Sequence, residues 1–166
     1  DLFMIDLPIT IKDMELREAL DNYELVWSTG GTTTNQGWSG QGFDSYDGED
    51  AAKSGTTFDN GISWLEASAS GSGTLSFWYK ISSEPNADRF QFSIDGENPT
   101  IISFGGEQDW IQETFEVPSN SNHVFRWEYV KDKNTIVGQD SVWIDQVIWS
   151  GSTNVMNPGD CFPSWA

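Results

Sequence analysis

Residues 73–96 read GTLSFWYKISSEPNADRFQFSIDG and contain two strand patterns joined by a polar, proline-containing connection. Leu75 and Phe77 belong to an apolar series at every second position of the first pattern, as Phe90 and Phe92 do in the second. Side chains at alternate positions of a strand point to the same face, so each pattern predicts a half-buried β-strand. We therefore predict that this stretch forms a β-hairpin at the centre of the fold.

Further strand patterns occur in residues 62–69, 101–104, 110–117, 123–130 and 141–149. The chain of 166 residues contains 16 glycines, nine tryptophans and ten phenylalanines, which is typical of short strands that bury large rings between turns. A total of about nine or ten strands predicts an all-β fold, a two-sheet antiparallel β-sandwich or jelly roll. The predicted core consists of Leu75, Phe77, Phe90, Phe92, Phe125, Trp127 and Tyr129.

The chain carries 26 acidic residues against eight lysines and arginines, a formal net charge of −18. This charge excludes nucleic acid and anionic membrane surfaces as partners, because both bind basic surfaces. It favours secretion, high salt or bound cations. The sequence has no run of about 18 apolar residues and begins without a signal peptide. We therefore predict no membrane insertion and expect a mature or excised part of a larger protein, with other domains as partners.

The length predicts one domain with two flanking segments. Residues 1–18 predict an edge strand, in which Pro8 cannot donate to a neighbouring strand, followed by a crossing segment. Residues 19–150 form the predicted core, and residues 151–166 form a tail. The tail holds Cys161, and a single cysteine excludes an internal disulfide.

An acidic cluster follows the first glycine-rich loop, with Asp44, Asp47, Glu49 and Asp50 within seven positions. Calcium takes six to eight oxygen ligands, and turns that carry several carboxylates supply them. Asp47, Glu49 and Asp50 are therefore candidate calcium ligands. The alternative is a solvated acidic turn.

Asp145 lies in a strongly apolar strand pattern, where alternation places it on the same face as Trp143, Val147 and Trp149. A buried carboxylate without a partner is costly, so Asp145 requires one. That partner is either a cation or a set of backbone N–H donors at a bulge.

The chain resembles a MAM-like jelly-roll module in residues 19–22 (ALDN), 27–31 (WSTGG), 47–55 (DGEDAAKSG), 73–84 (GTLSFWYKISSE), 94–96 (IDG), 129–132 (YVKD) and 143–147 (WIDQV). The resemblance covers residues 19–150. It implies an accessory module of a large extracellular bacterial protein, such as a secreted enzyme or adhesin. Similar carbohydrate-binding jelly rolls hold a structural calcium between an acid on the last strand and acids near the first strands. On this sequence the resemblance implies Asp145, Asp21 and Asp50 as ligands.

Three of the few basic residues, Lys80, Arg89 and Arg126, occupy polar positions of strand patterns. Alternation predicts that they share one sheet face. Such a face fits an acidic polysaccharide, because basic side chains bind carboxylate and sulfate groups. The alternative is an ordinary solvent face with ion pairs to Glu128 and Asp95.

Three aromatic residues, Trp38, Tyr46 and Trp110, lie in or beside glycine-rich, acidic loops. An exposed ring in such a loop stacks on a sugar ring, and these residues are the predicted contact for a neutral polysaccharide. The alternative is that each ring folds over the edge of the core.

The sequence offers little for catalysis, because His123 is the only histidine and no nucleophile with its base is apparent. Glu107 and Glu113 would lie about 20 Å apart on a regular strand, whereas a retaining glycosidase needs about 5 Å. We therefore predict a noncatalytic module of a secreted or cell-surface bacterial protein that binds polysaccharide and is stabilised by calcium. The alternative is a structural or adhesive spacer domain that contacts protein or a cell surface.

Overall fold

A computed structural model describes residues 15–32, 36–132 and 135–151 of the chain. The predicted strand before residue 15 and the tail after residue 151 lie outside these residues. The described part contains one short helix and ten strands: α1 Leu16–Ala19, β1 Val26–Gly31, β2 Ser39–Gln41, β3 Ala51–Lys53, β4 Ile62–Ser70, β5 Gly73–Ser83, β6 Arg89–Ile94, β7 Thr100–Ser103, β8 Gly106–Val117, β9 Asn122–Val130 and β10 Ser141–Gly151. No helix in this part of the chain is long and apolar enough to cross a membrane.

The strands form two five-stranded antiparallel sheets. The first sheet has the order β1-β4-β9-β6-β7, and the second has the order β2-β3-β10-β5-β8. Their inner faces pack on each other, as expected for sheets that are apolar on alternate positions. The predicted all-β, two-sheet antiparallel sandwich is confirmed.

The central hairpin prediction is wrong, although both of its strands exist. β5 pairs with β10 and β8 in the second sheet, whereas β6 pairs with β9 and β7 in the first. The connection through residues 84–88 therefore crosses from one sheet to the other. Alternation of apolar residues identifies a buried face but carries no information about the partner strand.

Aromatic rings from both sheets meet in the core. The Phe77 ring from β5 lies edge-on to the Trp127 ring from β9, with centroids 5.5 Å apart, and Phe92 from β6 lies 5.2 Å from Trp127. All members of the predicted core are buried: Leu75, Phe77, Phe90, Phe92, Phe125, Trp127 and Tyr129. Large rings thus supply most of the burial between the short strands.

A β-bulge in β10 changes the face on which its residues lie. Asp145 pairs with Trp78 on the outer face of the second sheet, and the register then shifts so that Trp149 pairs with Leu75 in the core. Gln146 absorbs the bulge with a φ of 52°. The prediction that Asp145 shares a face with Val147 and Trp149 is therefore wrong, because the extra residue inverts the alternation.

Candidate metal centre and ligand surface

Four carboxylates come together beside the bulge of β10 in the second sheet. Oxygen atoms of Asp21, Asp47, Asp50 and Asp145 all lie within 4.8 Å of one another. The structure thus brings together four of the five predicted metal ligands, whereas Glu49 is exposed in the same loop and outside the group. We call these four residues the acid cluster.

Asn22 fixes the position of Asp21 in this cluster. Its Nδ2 donates to the backbone oxygen of Val147 at 3.0 Å, and the Val147 N–H donates to the Leu20 oxygen at 3.0 Å. These bonds attach the end of α1 to the bulge of β10, two residues after Asp145. The sequence analysis did not predict this role of Asn22. The feature that could have indicated it is an asparagine shortly after a short helical pattern.

The loop of residues 42–50, between β2 and β3, contributes Asp47 and Asp50. Asp145 Oδ2 accepts hydrogen bonds from the backbone N–H groups of Tyr46 at 2.8 Å and Asp47 at 3.1 Å. Asp47 Oδ1 in turn accepts the Glu49 N–H at 2.8 Å and the Asp50 N–H at 3.3 Å. The buried carboxylate of β10 therefore holds the loop over the outer face of the sheet.

Two oxygen atoms of the cluster have no hydrogen-bond partner. Asp145 is 0% exposed and Asp50 is 8% exposed, and the Oδ1 atom of each is buried without a donor. Leaving a buried carboxylate oxygen unsatisfied is costly, whereas a cation coordinates such an atom directly. The donors of the cluster are all hard oxygen atoms, the type that calcium and magnesium prefer. The residues present therefore fit a divalent cation.

The electrostatics of the acid cluster agree with this fit. Burial raises the pKa of Asp21 to about 7, and hydrogen bonds to Asp145 and Asp47 add to the shift. Burial, together with repulsion from Asp21 and Asp47, raises the pKa of Asp50 to about 6, and burial also raises the pKa of Asp145. Burial acts in the same direction at Asp47, but the N–H groups of Glu49 and Asp50 outweigh it and lower its pKa. The four acids thus disfavour full ionisation unless a positive charge joins them.

The lysines, arginines and histidine that the structure describes do not supply that charge. Within the described ranges, no lysine, arginine or histidine nitrogen lies within 4.0 Å of any of the four carboxylates. A second acidic group, formed by Glu84, Asp88 and Asp132, differs in this respect. There the Lys131 Nζ lies 3.7 Å from Asp88 Oδ2, and Tyr129 donates to the same oxygen. The acid cluster is therefore the stronger candidate for a metal centre.

An aromatic surface lies beside the acid cluster. The Tyr46 ring stacks on the Trp78 ring of β5 with centroids 3.8 Å apart, and the Trp110 ring of β8 lies edge-on to Tyr46 at 6.3 Å. Tyr46 is 43% exposed, and Trp110 is partly exposed. Two of the three predicted loop rings thus share one surface, and Tyr46 is attached through its backbone to Asp145.

Trp38 does not belong to this surface. It is 3% exposed and packs in the hydrophobic core, and its backbone N–H donates to Thr29 Oγ1 at 2.7 Å. The prediction of an exposed ring is wrong here, because Trp38 directly precedes strand β2 and its ring packs into the core.

The three predicted basic contacts do not share a face. Lys80 lies on β5 in the second sheet, whereas Arg89 and Arg126 lie on β6 and β9 in the first. The prediction fails for the same reason as the hairpin, because β5 and β6 do not pair. Arg89 and Arg126 thus lie on paired strands, and the predicted cluster fails for Lys80.

Two of these basic side chains are neutralised by carboxylates. Lys80 Nζ lies 2.6 Å from Asp44 Oδ2. Arg126 forms ion pairs with Glu66 and Glu128, each at 2.6 Å. Arg126 thus makes the ion pair with Glu128 that the sequence offered as an alternative to ligand binding, although within β9, and its cross-strand partner is Glu66 on β4.

His123 is held as part of the framework. Its Nδ1 lies 2.8 Å from Asp95 Oδ2, and its Nε2 donates to the Ser119 backbone oxygen at 2.7 Å. Burial opposes protonation, but the Asp95 carboxylate and the Ser119 oxygen outweigh it and raise the pKa of His123. Both ring nitrogens are therefore occupied by acceptors within the fold.

Comparison with known proteins gives structural likenesses only. No protein-family model and no curated protein matches the chain. The secreted serine protease VesC from Vibrio cholerae is 13% identical, with a TM-score of 0.57 over 81% of this chain, which spans 26% of the protease chain. The K3 cleaved adhesin domain of Lys-gingipain from Porphyromonas gingivalis is 14% identical, with a TM-score of 0.55 over 76% of this chain and 91% of that domain.

A carbohydrate-binding module in complex with β-1,4-galactotriose is 12% identical, with a TM-score of 0.52 over 86% of this chain and 97% of that one. None of these three is described as a MAM module, so that resemblance stays a prediction. At these identities the likenesses establish the fold that the chain shares with carbohydrate-binding and adhesin modules.

Proposed function

We propose that the chain is a noncatalytic, MAM-like module of a secreted or surface-exposed bacterial protein, which holds a structural calcium ion and binds polysaccharide. The observation that carries this proposal is the attachment of the loop of residues 42–50 to Asp145. The same loop supplies two carboxylates of the acid cluster and presents Tyr46 on the aromatic surface. The attachment of this loop thus accounts for both the metal centre and the ligand surface.

The acid cluster would hold calcium through the oxygen atoms of Asp21, Asp47, Asp50 and Asp145. Calcium takes six to eight oxygen ligands, so backbone carbonyls or water would complete the set. When bound, the ion supplies the positive charge that the cluster lacks. The protein holds the ligands in place: Asn22 positions Asp21, and Asp145 positions the loop.

The aromatic surface supports a sugar ligand. Tyr46 cannot turn freely, because its ring stacks on Trp78 and its backbone N–H is bonded to Asp145. A rigid, partly exposed ring provides a flat apolar contact at small entropic cost, which suits the face of a pyranose ring. The acidic residues of the same loop repel anions at short range, so we propose a neutral polysaccharide for this surface. A structurally similar module is described in complex with a neutral galactose trimer.

Affinity electrophoresis in gels that contain a panel of neutral polysaccharides tests the proposal. We compare the wild type with Tyr46→Ala and Trp110→Ala in the presence of calcium. Phe104→Ala is the matched control, because Phe104 is a 59% exposed ring that follows β7 of the first sheet, whereas the aromatic surface lies on the second. We expect at least one polysaccharide to retard the wild type and the control equally, and each test variant to bind about tenfold more weakly, the effect of losing one stacking ring.

Retardation that is unchanged in both Tyr46→Ala and Trp110→Ala would contradict the aromatic surface as the ligand site. The second candidate function is an adhesive or spacer domain that contacts protein. It is favoured by the likeness to an adhesin domain, which this chain matches over 91% of the domain length. Failure of every polysaccharide to retard the wild type would support that alternative.

A further inference from the structure

A groove runs along the edge of the second sheet, beside the start of the loop of residues 42–50. One part is a cleft of about 450 Å³ lined by Gln41, Phe43, Asp44, Lys53, Gln139 and Trp143. A neighbouring cleft of about 460 Å³ also contains Lys53 and Gln139, and it continues past Ser39 on the edge strand β2. We call the two clefts together the edge groove. Each is within the size range of sites that bind small ligands.

Phe43 stands at the rim of the edge groove and is 98% exposed. Gln41 holds it there: its Oε1 accepts the N–H groups of Phe43 and Asp44, each at 3.0 Å. Its Nε2 donates to the backbone oxygens of Asp44 at 2.8 Å and Ala51 at 3.1 Å. A phenyl ring left in water forgoes about 1.5–3 kcal/mol of burial free energy. The ordered turn beneath it therefore indicates a ring presented to a ligand.

Lys53 lies in the middle of the edge groove and is available to a ligand. Across residues 15–32, 36–132 and 135–151, it is the one basic side chain that has neither a hydrogen bond nor an ion pair. Its Nζ lies over the Trp143 ring, 5.5 Å from the centroid. An unpaired lysine is unexpected in a chain with 26 acidic residues against eight basic ones. Lys53 is thus a cation that the protein does not neutralise.

The local charge of the edge groove differs from that of the whole chain. Of the two carboxylates that line the groove, Asp44 lies 2.6 Å from Lys80, and Asp140 lies 2.9 Å from Lys131, which it shares with Asp88. Lys53 is the charged group of the lining that has no ion-pair partner. Long-range repulsion from the net charge of −18 is screened within about 8 Å at physiological salt, whereas attraction to Lys53 at contact distance is screened much less. A small anionic group is therefore accommodated in the groove.

We infer that the edge groove binds a sugar unit that carries a carboxylate, a uronic acid, with the carboxylate on Lys53 and the ring face on Phe43. The exposed Gln139 is placed to meet the sugar hydroxyls. This inference rests on the proposed function, polysaccharide binding, but it assigns a second surface with a different ligand class. The aromatic surface of Tyr46 would bind neutral sugar units, and the edge groove would bind acidic sugar units of the same polysaccharide or of another one.

Isothermal titration with a short galacturonate oligosaccharide, and with a neutral galactose oligosaccharide of equal length, tests this assignment. We compare the wild type with Lys53→Gln and Phe43→Ala, and Tyr46→Ala is the control that alters only the aromatic surface. We expect the galacturonate affinity to fall about tenfold or more in Lys53→Gln and in Phe43→Ala, and to stay at the wild-type value in Tyr46→Ala. Raising the salt concentration should weaken galacturonate binding in the wild type and have little effect in Lys53→Gln.

The inference is overturned if the wild type does not bind the galacturonate oligosaccharide, or if either groove variant keeps the wild-type affinity for it. The neutral oligosaccharide separates this failure from failure of the proposed function. If neutral binding persists and depends on Tyr46, only the edge groove is disproved. Superimposable far-ultraviolet circular dichroism of all variants shows that the fold is kept.

Discussion

Replacement of Asp145 by asparagine removes one charge from the acid cluster and changes almost nothing in size. The asparagine oxygen still accepts the N–H groups of Tyr46 and Asp47, which the native Oδ2 accepts at 2.8 and 3.1 Å. What is lost is the anionic character of the buried carboxylate, whose Oδ1 has no hydrogen-bond partner. The variant therefore tests the metal centre while it preserves the attachment of the loop.

The expected effect follows from ligand linkage. Calcium at about one hundred times its dissociation constant stabilises the folded state by about 2.7 kcal/mol. For a domain of this size each kcal/mol shifts the melting temperature by about 2–4 °C, so we expect the wild type to gain about 5–11 °C. Asp145→Asn should show only a small gain. In chelator we expect Asp145→Asn to melt at or above the temperature of the wild type. Burial raises the pKa of Asp145, which means that the buried carboxylate is costly to ionise, and the neutral amide removes this cost.

Differential scanning calorimetry in calcium and in chelator measures all four midpoints. Asp59→Asn is the matched control, because Asp59 is an exposed acid outside the cluster. It should gain as much from calcium as the wild type does. A wild-type midpoint that calcium leaves unchanged would refute the metal centre, and an equal gain in Asp145→Asn would refute the assignment of Asp145 as a ligand.

The remaining predictions concern the framework and its link to binding. The folded pKa of His123 is raised above 6.5 and that of Asp95 is lowered below 3.8, so their pair stabilises the fold between these limits. This contribution is lost as pH rises through the folded pKa of His123 or falls through that of Asp95. In urea unfolding across pH, His123→Asn should lack the change at high pH and show a smaller one at low pH, because the Val124 N–H also lowers the pKa of Asp95. Trp127→Ala removes a fully buried ring and should lower the free energy of unfolding by about 3–5 kcal/mol, and a loss below about 1 kcal/mol in urea titration would contradict the core. Asp145→Asn should weaken binding of neutral polysaccharide in affinity gels with calcium, because it loses the ion that would also bind Asp47 and Asp50 of the loop that carries Tyr46; unchanged affinity would separate the two sites.

The buried faces of the strands are predictable from the sequence, but their partners are not. Alternation identifies Phe77 and Phe92 as core residues because one face of each sheet is apolar. The same alternation fits a hairpin and a crossing between sheets equally well. Every prediction that required β5 and β6 to be neighbours therefore fails, including the shared face of Lys80 and Arg89.

The metal centre is more predictable than the ligand surface. A carboxylate in an apolar strand is conspicuous, and this contrast singles out Asp145 before any coordinates are known. No comparable feature of the sequence shows whether an aromatic ring is exposed. Trp38 is buried within a polar stretch, whereas Phe43, in an equally polar stretch, is almost fully exposed. What separates Phe43 from Trp38 is the turn that Gln41 forms, and this turn depends on the path of the loop.

One titration shows whether the chain is a calcium-holding module that binds polysaccharide without cleaving it. The wild type with bound calcium is titrated with oligosaccharide from a polysaccharide that retards it, and the chain length of the recovered ligand is measured. We predict saturable binding, at least tenfold stronger with calcium than after chelation, and recovered oligosaccharide of unchanged length. Absence of binding, equal affinity with and without calcium, or shortened oligosaccharide would show that the chain is not such a module.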